Sequence, residues 1–389
     1  MIERTLFAVE HHLFRTRFRR FVEQEIAPFH ADWEEQGHVD RVVWHKAGDQ
    51  GFLCTGIPQD FGGAGLDRLH AVVELEELAR GGFTGIGYGL HSEIVAPYIL
   101  RHGTSAQKQH YLPRLAFGDM VGAVALTESG AGSDLQAVQA TAMPLRDGGY
   151  LLNGSKNFVT NGWHADLVVV LARTSPVTNS PGADGLSLFI VERGTPGFTV
   201  GRRLKKLGMR AQDTAELFFD DVQLPASQLL GGPQHRDNGL ACVSAQLPWE
   251  RLLIAVTAVA AAQVAIEWTI DYVLVRNVFG QAVAGFQSTR HALAAMQTEV
   301  QVAQVFVDRC LEMMLRDALD TPTASMAKYW CTELQCRVMD ACVQLFGGYG
   351  YLWDYPIARA YADARVQRIY GGTSEIMKET IACGMGLGR

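Results

Sequence analysis

A chain of 389 residues is long enough for two or three domains around a large buried core, which excludes a disulfide-stapled mini-protein. Charged residues make up 19% against 48% hydrophobic, fewer charges than an ordinary globular chain carries, so apolar surface is expected to go into contacts between subunits. Lys+Arg 34 against Asp+Glu 41 leaves a net charge of −7 with no block of like charge, and nucleic acid and anionic membranes are not expected as partners.

From Glu3 to about Gly118 apolar residues recur at helical spacing, as in Phe14, Phe18, Phe21 and Val22, with glycine-rich breaks at 61–65 and 80–82. Glu3, Arg4 and Glu10 interrupt the start, so no signal-peptide pattern is present. Between about Met120 and Leu230 the pattern changes to short apolar runs at 121–126, 150–152, 167–171, 186–191 and 215–219, which predict antiparallel strands. Residues 175–185 read as a polar hairpin loop. After Gly231, Gly232 and Pro233 helices return, with Leu252, Val256, Val259, Ile266 and Ile270 on one stripe. The expectation is an α+β multidomain chain: an all-α domain over 1–119, a central antiparallel β domain over 120–231 and a helical-bundle domain over 232–389. This order disfavours a Rossmann domain, which needs alternating strands and helices. The longest apolar stretch, 252–262, falls well short of the ~20 residues of a membrane span. Cys54, Cys242, Cys310, Cys331, Cys336, Cys342 and Cys383 form no CxxC pair, which fits a reduced, cytoplasmic protein.

Three segments gather small and hydroxyl residues where backbone N–H groups can meet a ligand's oxygens. They are ALTESGAGSD at 125–134, NFVTNG at 157–162 and RIYGGTSEI at 368–376, where Thr373 or Ser374 can cap a helix. Each also has a plain structural reading as a strand-to-turn or turn-to-helix junction, and FGGYG at 346–350 reads as a helix-ending turn.

Taken together, in this order on this layout, ALTESGAGSD, NFVTNG, RNVFGQAVAGFQ, QLFGGYGY and IYGGTSEI resemble the motifs of the acyl-CoA dehydrogenase family of flavoenzymes. The resemblance spans nearly the whole chain and points to the long-chain branch. It implies FAD held between a β domain and a C-terminal four-helix bundle, in a homotetramer built as a dimer of dimers, or in a dimer. The implied reaction introduces a double bond between Cα and Cβ of an acyl-CoA, with hydride passing to flavin N5 and electron-transfer flavoprotein as acceptor. Val124, Leu126, Thr127, Gly132 and Ser133, with Phe158, Val159 and Thr160, are the implied flavin-ring residues. Thr373, Ser374 and Glu375 are implied to approach the cofactor from the same subunit. Arg276, Gln287, Gln344, Leu345, Phe346, Gly347 and Gly348 are implied at the pyrophosphate and adenine of a neighbour's FAD. Ser133, Pro248, Trp249, Arg251, Gly371 and Gly372 are the implied substrate residues.

The commonest family pattern places the catalytic Glu where this chain has Gly371. In the long-chain and isovaleryl branches the base stands instead on the first long helix of the bundle, just before an Arg, and Glu250 beside Arg251 reproduces that arrangement. A carboxylate is needed because the α-proton must have an acceptor. The backbone N–H of Gly371 keeps its implied role of stabilising the thioester oxygen, since it does not depend on a side chain. The competing reading makes Glu250 a first-turn residue beside Pro248 at N1, held there by the helix dipole. Residues 84–88 resemble the segment at the far end of a deep acyl pocket, or merely turn the chain between two helices. His11, His12, His102 and His110 lack neighbouring ligand sets in sequence, so no metal is expected. Tyr349, Tyr351, Trp353 and Tyr355 read as packing aromatics. A flavin oxidase, an acyl-carrier-protein-linked dehydrogenase and an inactive assembly protein on the same fold are the competing functions.

Overall fold

A computed structural model describes residues 2–175 and 185–387, so the 175–185 loop read from the sequence lies almost wholly outside the described residues. Seven helices precede the first strand: α1 (Val9–Phe21), α2 (His30–Gln36), α3 (Arg41–Asp49), α4 (Arg68–Gly81), the single turn α5 (Tyr88–Leu90), α6 (Ala96–His102) and α7 (Ser105–Ala116). The aromatic stripe of α1 is what folds them. Phe14, Phe18 and Phe21 are buried around Phe52, with ring centroids 5.0 to 5.5 Å away. On the same helix Arg15 and Arg19 reach across to Glu76 and Glu77 of α4 at 2.7 to 2.8 Å.

The central sheet contains β1 (Gly122–Ala125), β2 (Thr141–Pro144), β3 (Tyr150–Thr160), β4 (Leu167–Arg173), β5 (Leu186–Glu192), β6 (Phe198–Arg203) and β7 (Thr214–Leu224). Its order is β1-β4-β2-β3-β7-β6, with β5 also on β4. The sheet is mixed rather than purely antiparallel: β1 runs parallel to β4 in the register Gly122↔Leu167, because the chain passes through β2 and β3 before returning beside β1. Two of its strands carried no readable signal. In β2 only Ala142 is buried, and β6 is an edge strand ending Gly-Arg-Arg, so neither shows an apolar run. β3 extends past the expected 150–152 through polar residues that its pairing with β7 stabilises.

The C-terminal domain comprises α8 (Gly239–Val275), a short hairpin of β8 (Asn277–Val278) and β9 (Gln281–Ala282), α9 (Gln287–Leu315), α10 (Thr321–Phe346), α11 (Pro356–Ala364) and α12 (Ser374–Gly384). α8, α9, α10 and α12 form a four-helix bundle. Along α8 the buried residues Leu252, Val256, Val259 and Ile266 form the seam with α10 and α9. Among the described residues α8 is the one helix long and apolar enough to cross a membrane, and 61% of its most apolar window is buried inside the protein. Pro248 lies well within α8, so Glu250 is not in a first turn and the dipole reading of that residue fails. A proline there donates no N–H and leaves the Ser244 carbonyl without its helical partner.

One buried ion pair connects the sheet to the segment 125–134. Lys156 of β3, with no exposed surface, donates to Leu126 O at 3.0 Å and to Glu128 Oε1 at 2.7 Å. Glu128 also accepts the N–H groups of Gln139 and Ala140 at 2.8 and 3.0 Å, and these hydrogen bonds with Lys156 hold its carboxyl below the usual range despite burial. Glu128 is therefore a structural carboxylate, with no proton to spare at neutral pH. Replacing Lys156 with Met strands that charge, so Lys156→Met is expected to cost about 3 kcal/mol in denaturant unfolding and to loosen flavin retention. Unchanged stability and flavin content would show that the pair does not hold this segment.

Candidate active site

The two catalytic candidates meet through the packing of a glycine turn on α8. Gly371 has φ +63° and Gly372 φ +95°, conformations that L side chains rarely adopt. A Cβ at Gly371 would stand 2.6 Å from Cδ1 of Ile254, one helical turn beyond Glu250, so the turn packs directly on α8 and its φ favours glycine there. Lys328 of α10, fully buried, donates to Gly372 O at 2.6 Å and holds the turn from behind. The Gly371 N–H donates to no acceptor among the described residues. An unpaired, half-buried N–H beside a carboxylate-bearing helix is the arrangement needed to receive a carbonyl oxygen.

Glu250 lies deep in the protein yet keeps part of its surface accessible, as a side chain facing an internal cleft does. Burial raises its pKa to about 7, against the opposing effects of a hydrogen bond from Tyr98 Oη at 3.3 Å and of the Arg251 charge. Arg251 makes no ion pair with it among the described residues. Its Nη1 donates to Ser325 Oγ at 3.0 Å, and Nη2 lies 3.8 Å from where a Gly372 Cβ would be. The arginine therefore orders the glycine turn more directly than the carboxylate.

Trp249 points the other way. It is buried, donates from Nε1 to Glu93 Oε2 at 3.0 Å and lies under the Arg68 guanidinium, which makes it an anchor of α8 on the N-terminal helices. Glu93 is itself pushed up to about 7 by burial, and Glu74 beside it is raised further.

The flavin-ring candidates lie on the β domain around open surface. Gly132 and Ser133 are exposed, Val124, Leu126, Thr127 and Thr160 are half-buried, and Val159 turns its side chain into the core. Phe158 is 67% exposed and held at φ +58°, an aromatic face kept in solvent at a backbone cost. A separate cleft of about 410 Å³ is lined by Tyr272, Arg276 and the run Gln344, Leu345, Phe346, Gly347 and Gly348. A Cβ on either glycine would meet nothing within 4 Å, so backbone is open to a ligand there. Gln287 is exposed at the start of α9 but does not line this cleft. Thr373 caps α12 through its hydroxyl, and the Ser374 hydroxyl is turned inward to Glu333 at 2.7 Å. Glu375 is an exposed first-turn residue whose pKa is lowered by the backbone at the start of α12.

The whole chain matches known sequences. Residues 8–119, 123–222 and 237–386 match the models of the acyl-CoA dehydrogenase N-terminal, middle and C-terminal domains. Over 380 residues the chain is 51% identical to the mitochondrial long-chain specific acyl-CoA dehydrogenase of Mus musculus, covering 97% of this chain and 87% of that one. It belongs to the acyl-CoA dehydrogenase family. The acyl-CoA dehydrogenase structure from Geobacillus kaustophilus is 45% identical, with a TM-score of 0.95 over 98% of this chain and 100% of the other. A Bacillus anthracis acyl-CoA dehydrogenase complexed with FAD is 30% identical, with a TM-score of 0.90 over 97% of this chain and 68% of the other. The chain is thus an FAD-dependent acyl-CoA dehydrogenase, and its exposed Phe158 and the glycine-rich cleft suit a flat ring and a pyrophosphate.

In this acyl-CoA dehydrogenase a second cavity, of about 60 Å³, lies farther along α8, with neither Glu250 nor Gly371 in its lining. Thr257, Ala261, Val264 and Trp268 line it from α8, on the stripe that carries Glu250 and about 10 to 27 Å beyond it at 1.5 Å per residue. Gln367, which also lines it, accepts from the hydroxyl of Tyr370 at 2.6 Å, next to Gly371. Of the 84–88 segment, Thr84 reaches this cavity. Gly85 and Gly87 do not line it: Cβ atoms there would strike Gln212 N at 2.4 Å and Asn161 Oδ1 at 1.9 Å.

Tyr98, Lys328 and Ser325 escaped the sequence reading because each lies far along the chain from the residue it holds. With Glu250 as the base proposed below, its deprotonated form is the active one, and kcat/KM is expected to rise with pH through about 7. Tyr98→Phe removes a donor that favours the carboxylate, and the midpoint should move to higher pH. A profile that stays in place or moves down would remove Tyr98 from this role.

Proposed function

We propose that this enzyme dehydrogenates medium- to long-chain or methyl-branched acyl-CoA thioesters to the trans-2-enoyl-CoA, with Glu250 as the base that takes the α-proton. The unpaired N–H of Gly371, pressed against α8 one turn past Glu250, is the observation that supports it most. The thioester oxygen accepts from that N–H, so negative charge grows where a donor is already fixed. The Cα–H then faces Glu250, whose raised pKa makes it a stronger base toward carbon than an exposed carboxylate. FAD, when bound, supplies the two-electron acceptor for the hydride leaving Cβ. Ser133, Gly132 and Phe158 hold its ring side, and Arg276 with Gln344, Gly347 and Gly348 holds its phosphate side.

Those two groups lie on different domains, and the cleft is lined wholly by the C-terminal helical domain. Sharing one FAD between two copies reconciles them, which supports a homotetramer or dimer in sedimentation. Electron-transfer flavoprotein is the acceptor we assign, on the family resemblance, and its reduction on mixing with the substrate-reduced enzyme tests the choice. Seven free cysteines support a reducing, cytoplasmic compartment, which fractionation of cells tests.

Glu250→Gln should keep fold and flavin but slow flavin bleaching by substrate about a thousandfold or more, because an amide accepts no proton. Near-native bleaching would exclude Glu250 as the base. The cavity along α8 sets the chain-length reading. Each methylene it buries contributes about 0.8 kcal/mol, so kcat/KM should climb with chain length until the space past Ala261 is filled. Ala261→Leu fills that space, and the optimum should move to shorter chains with short-chain rates retained. An unchanged chain-length profile in the folded variant would place the acyl chain elsewhere.

A further inference from the structure

The junction between the N-terminal helices and α8 gathers a histidine–cysteine cluster that the dehydrogenation does not use. His102 ends α6, His235 sits in a single 3-10 turn (Pro233–His235) and Cys242 lies in the first turn of α8. One ligand atom from each, a ring nitrogen of either histidine and the Cys242 Sγ, fall within 4.8 Å of one another. His235 Nδ1 stands 3.9 Å from that sulfur, and the two imidazoles meet edge to face at 5.6 Å. Gly231 makes this crowding possible. Its φ is +80°, and a Cβ there would lie 2.4 Å from both His102 O and His235 Cδ2.

The chemistry of the three donors is that of a borderline-soft cation: two imidazoles and one thiol, with no carboxylate in the group. Cys242 is 5% exposed whereas both histidines are half-buried, which leaves an entry path past the rings. The other such cluster, His11, Asp67 and His70, contrasts with it. There Asp67 bridges both rings at 2.8 to 3.0 Å and His11 Nδ1 accepts the Ala8 N–H, so a carboxylate rather than a thiol organises the group.

We propose that His102, His235 and Cys242 bind one zinc-class divalent cation per chain, with water in the fourth position. On binding, a metal–sulfur bond forms as the thiol proton leaves to solvent, with no change in oxidation state. The ion ties α6 to the start of α8, the two helices whose Tyr98 and Glu250 meet in the catalytic cleft. Binding only the folded chain, it raises the melting temperature, and the rise grows with the logarithm of the free cation concentration above Kd.

The test uses holoenzyme with its cysteine thiols reduced and its flavin oxidised, and Co²⁺, whose tetrahedral thiolate complexes absorb in the red, where oxidised flavin is transparent. One Co²⁺ per chain is expected, displaced by Zn²⁺, with red bands abolished in Cys242→Ser and at least tenfold weaker binding in His235→Gln. Should Cys242→Ser lose its flavin, His235→Gln, at a half-buried position, carries the test. Cys383 is exposed and unconnected to the cluster, so Cys383→Ser should leave the bands intact. Absent bands, bands that persist in both cluster variants, or bands lost in Cys383→Ser would each overturn the site.

Discussion

A missing side chain holds this active site together. Because Gly371 carries no Cβ, its turn seats against Ile254 of α8, and the same contact fixes the separation between an unpaired N–H and the Glu250 carboxylate. The turn uses two consecutive glycines at positive φ, a conformation glycine adopts without steric penalty, and one of its carbonyls turns inward. Lys328 of α10 meets that carbonyl at 2.6 Å and satisfies it. A carboxylate on the glycine turn would need a Cβ where Ile254 now packs. Its place on α8 is thus the structural counterpart of the close contact.

Burial of ionisable groups runs through the whole region. Glu250 and Glu93 are both raised to about 7 by desolvation, Glu74 is raised further, and Lys328 is lowered to about 8. Such groups weaken a fold unless they are paired or neutralised. Trp249 satisfies Glu93 while Glu74 keeps an oxygen with no partner, so burial pushes both carboxyls toward the neutral form. Glu250 differs in keeping part of its surface accessible.

The domains divide the remaining work by element type. Sheet edges and turns at 125–134 and 157–162 offer open backbone and one solvent-facing aromatic, which suits a flat ring. The ends of α8 and α10 offer Arg276 and a glycine cradle, which suits a phosphate. α8 carries candidates for both tasks, since Glu250 stands about three turns into it and Arg276 caps its end.

From the sequence alone, the α–β–α order, the helical C-terminus and the glycine-rich motifs were legible, because each rests on local spacing or on a contiguous motif, whereas the four-helix bundle and the pairing of Glu250 with Gly371 came from the family resemblance. Strand β2 and edge strand β6 were not, since a strand with one buried residue leaves no apolar run. The mixed sheet was hidden too, because strand direction follows from the path of the chain between strands. Only the tertiary structure placed Pro248 inside α8, removing the dipole account of Glu250, and turned Trp249 and Ser374 toward structural partners. Only it brought Tyr98 to Glu250, Lys328 to Gly372 and His102 to Cys242. These contacts join residues far apart in the chain, and periodicity carries no information about which helix faces which until their apolar faces have packed.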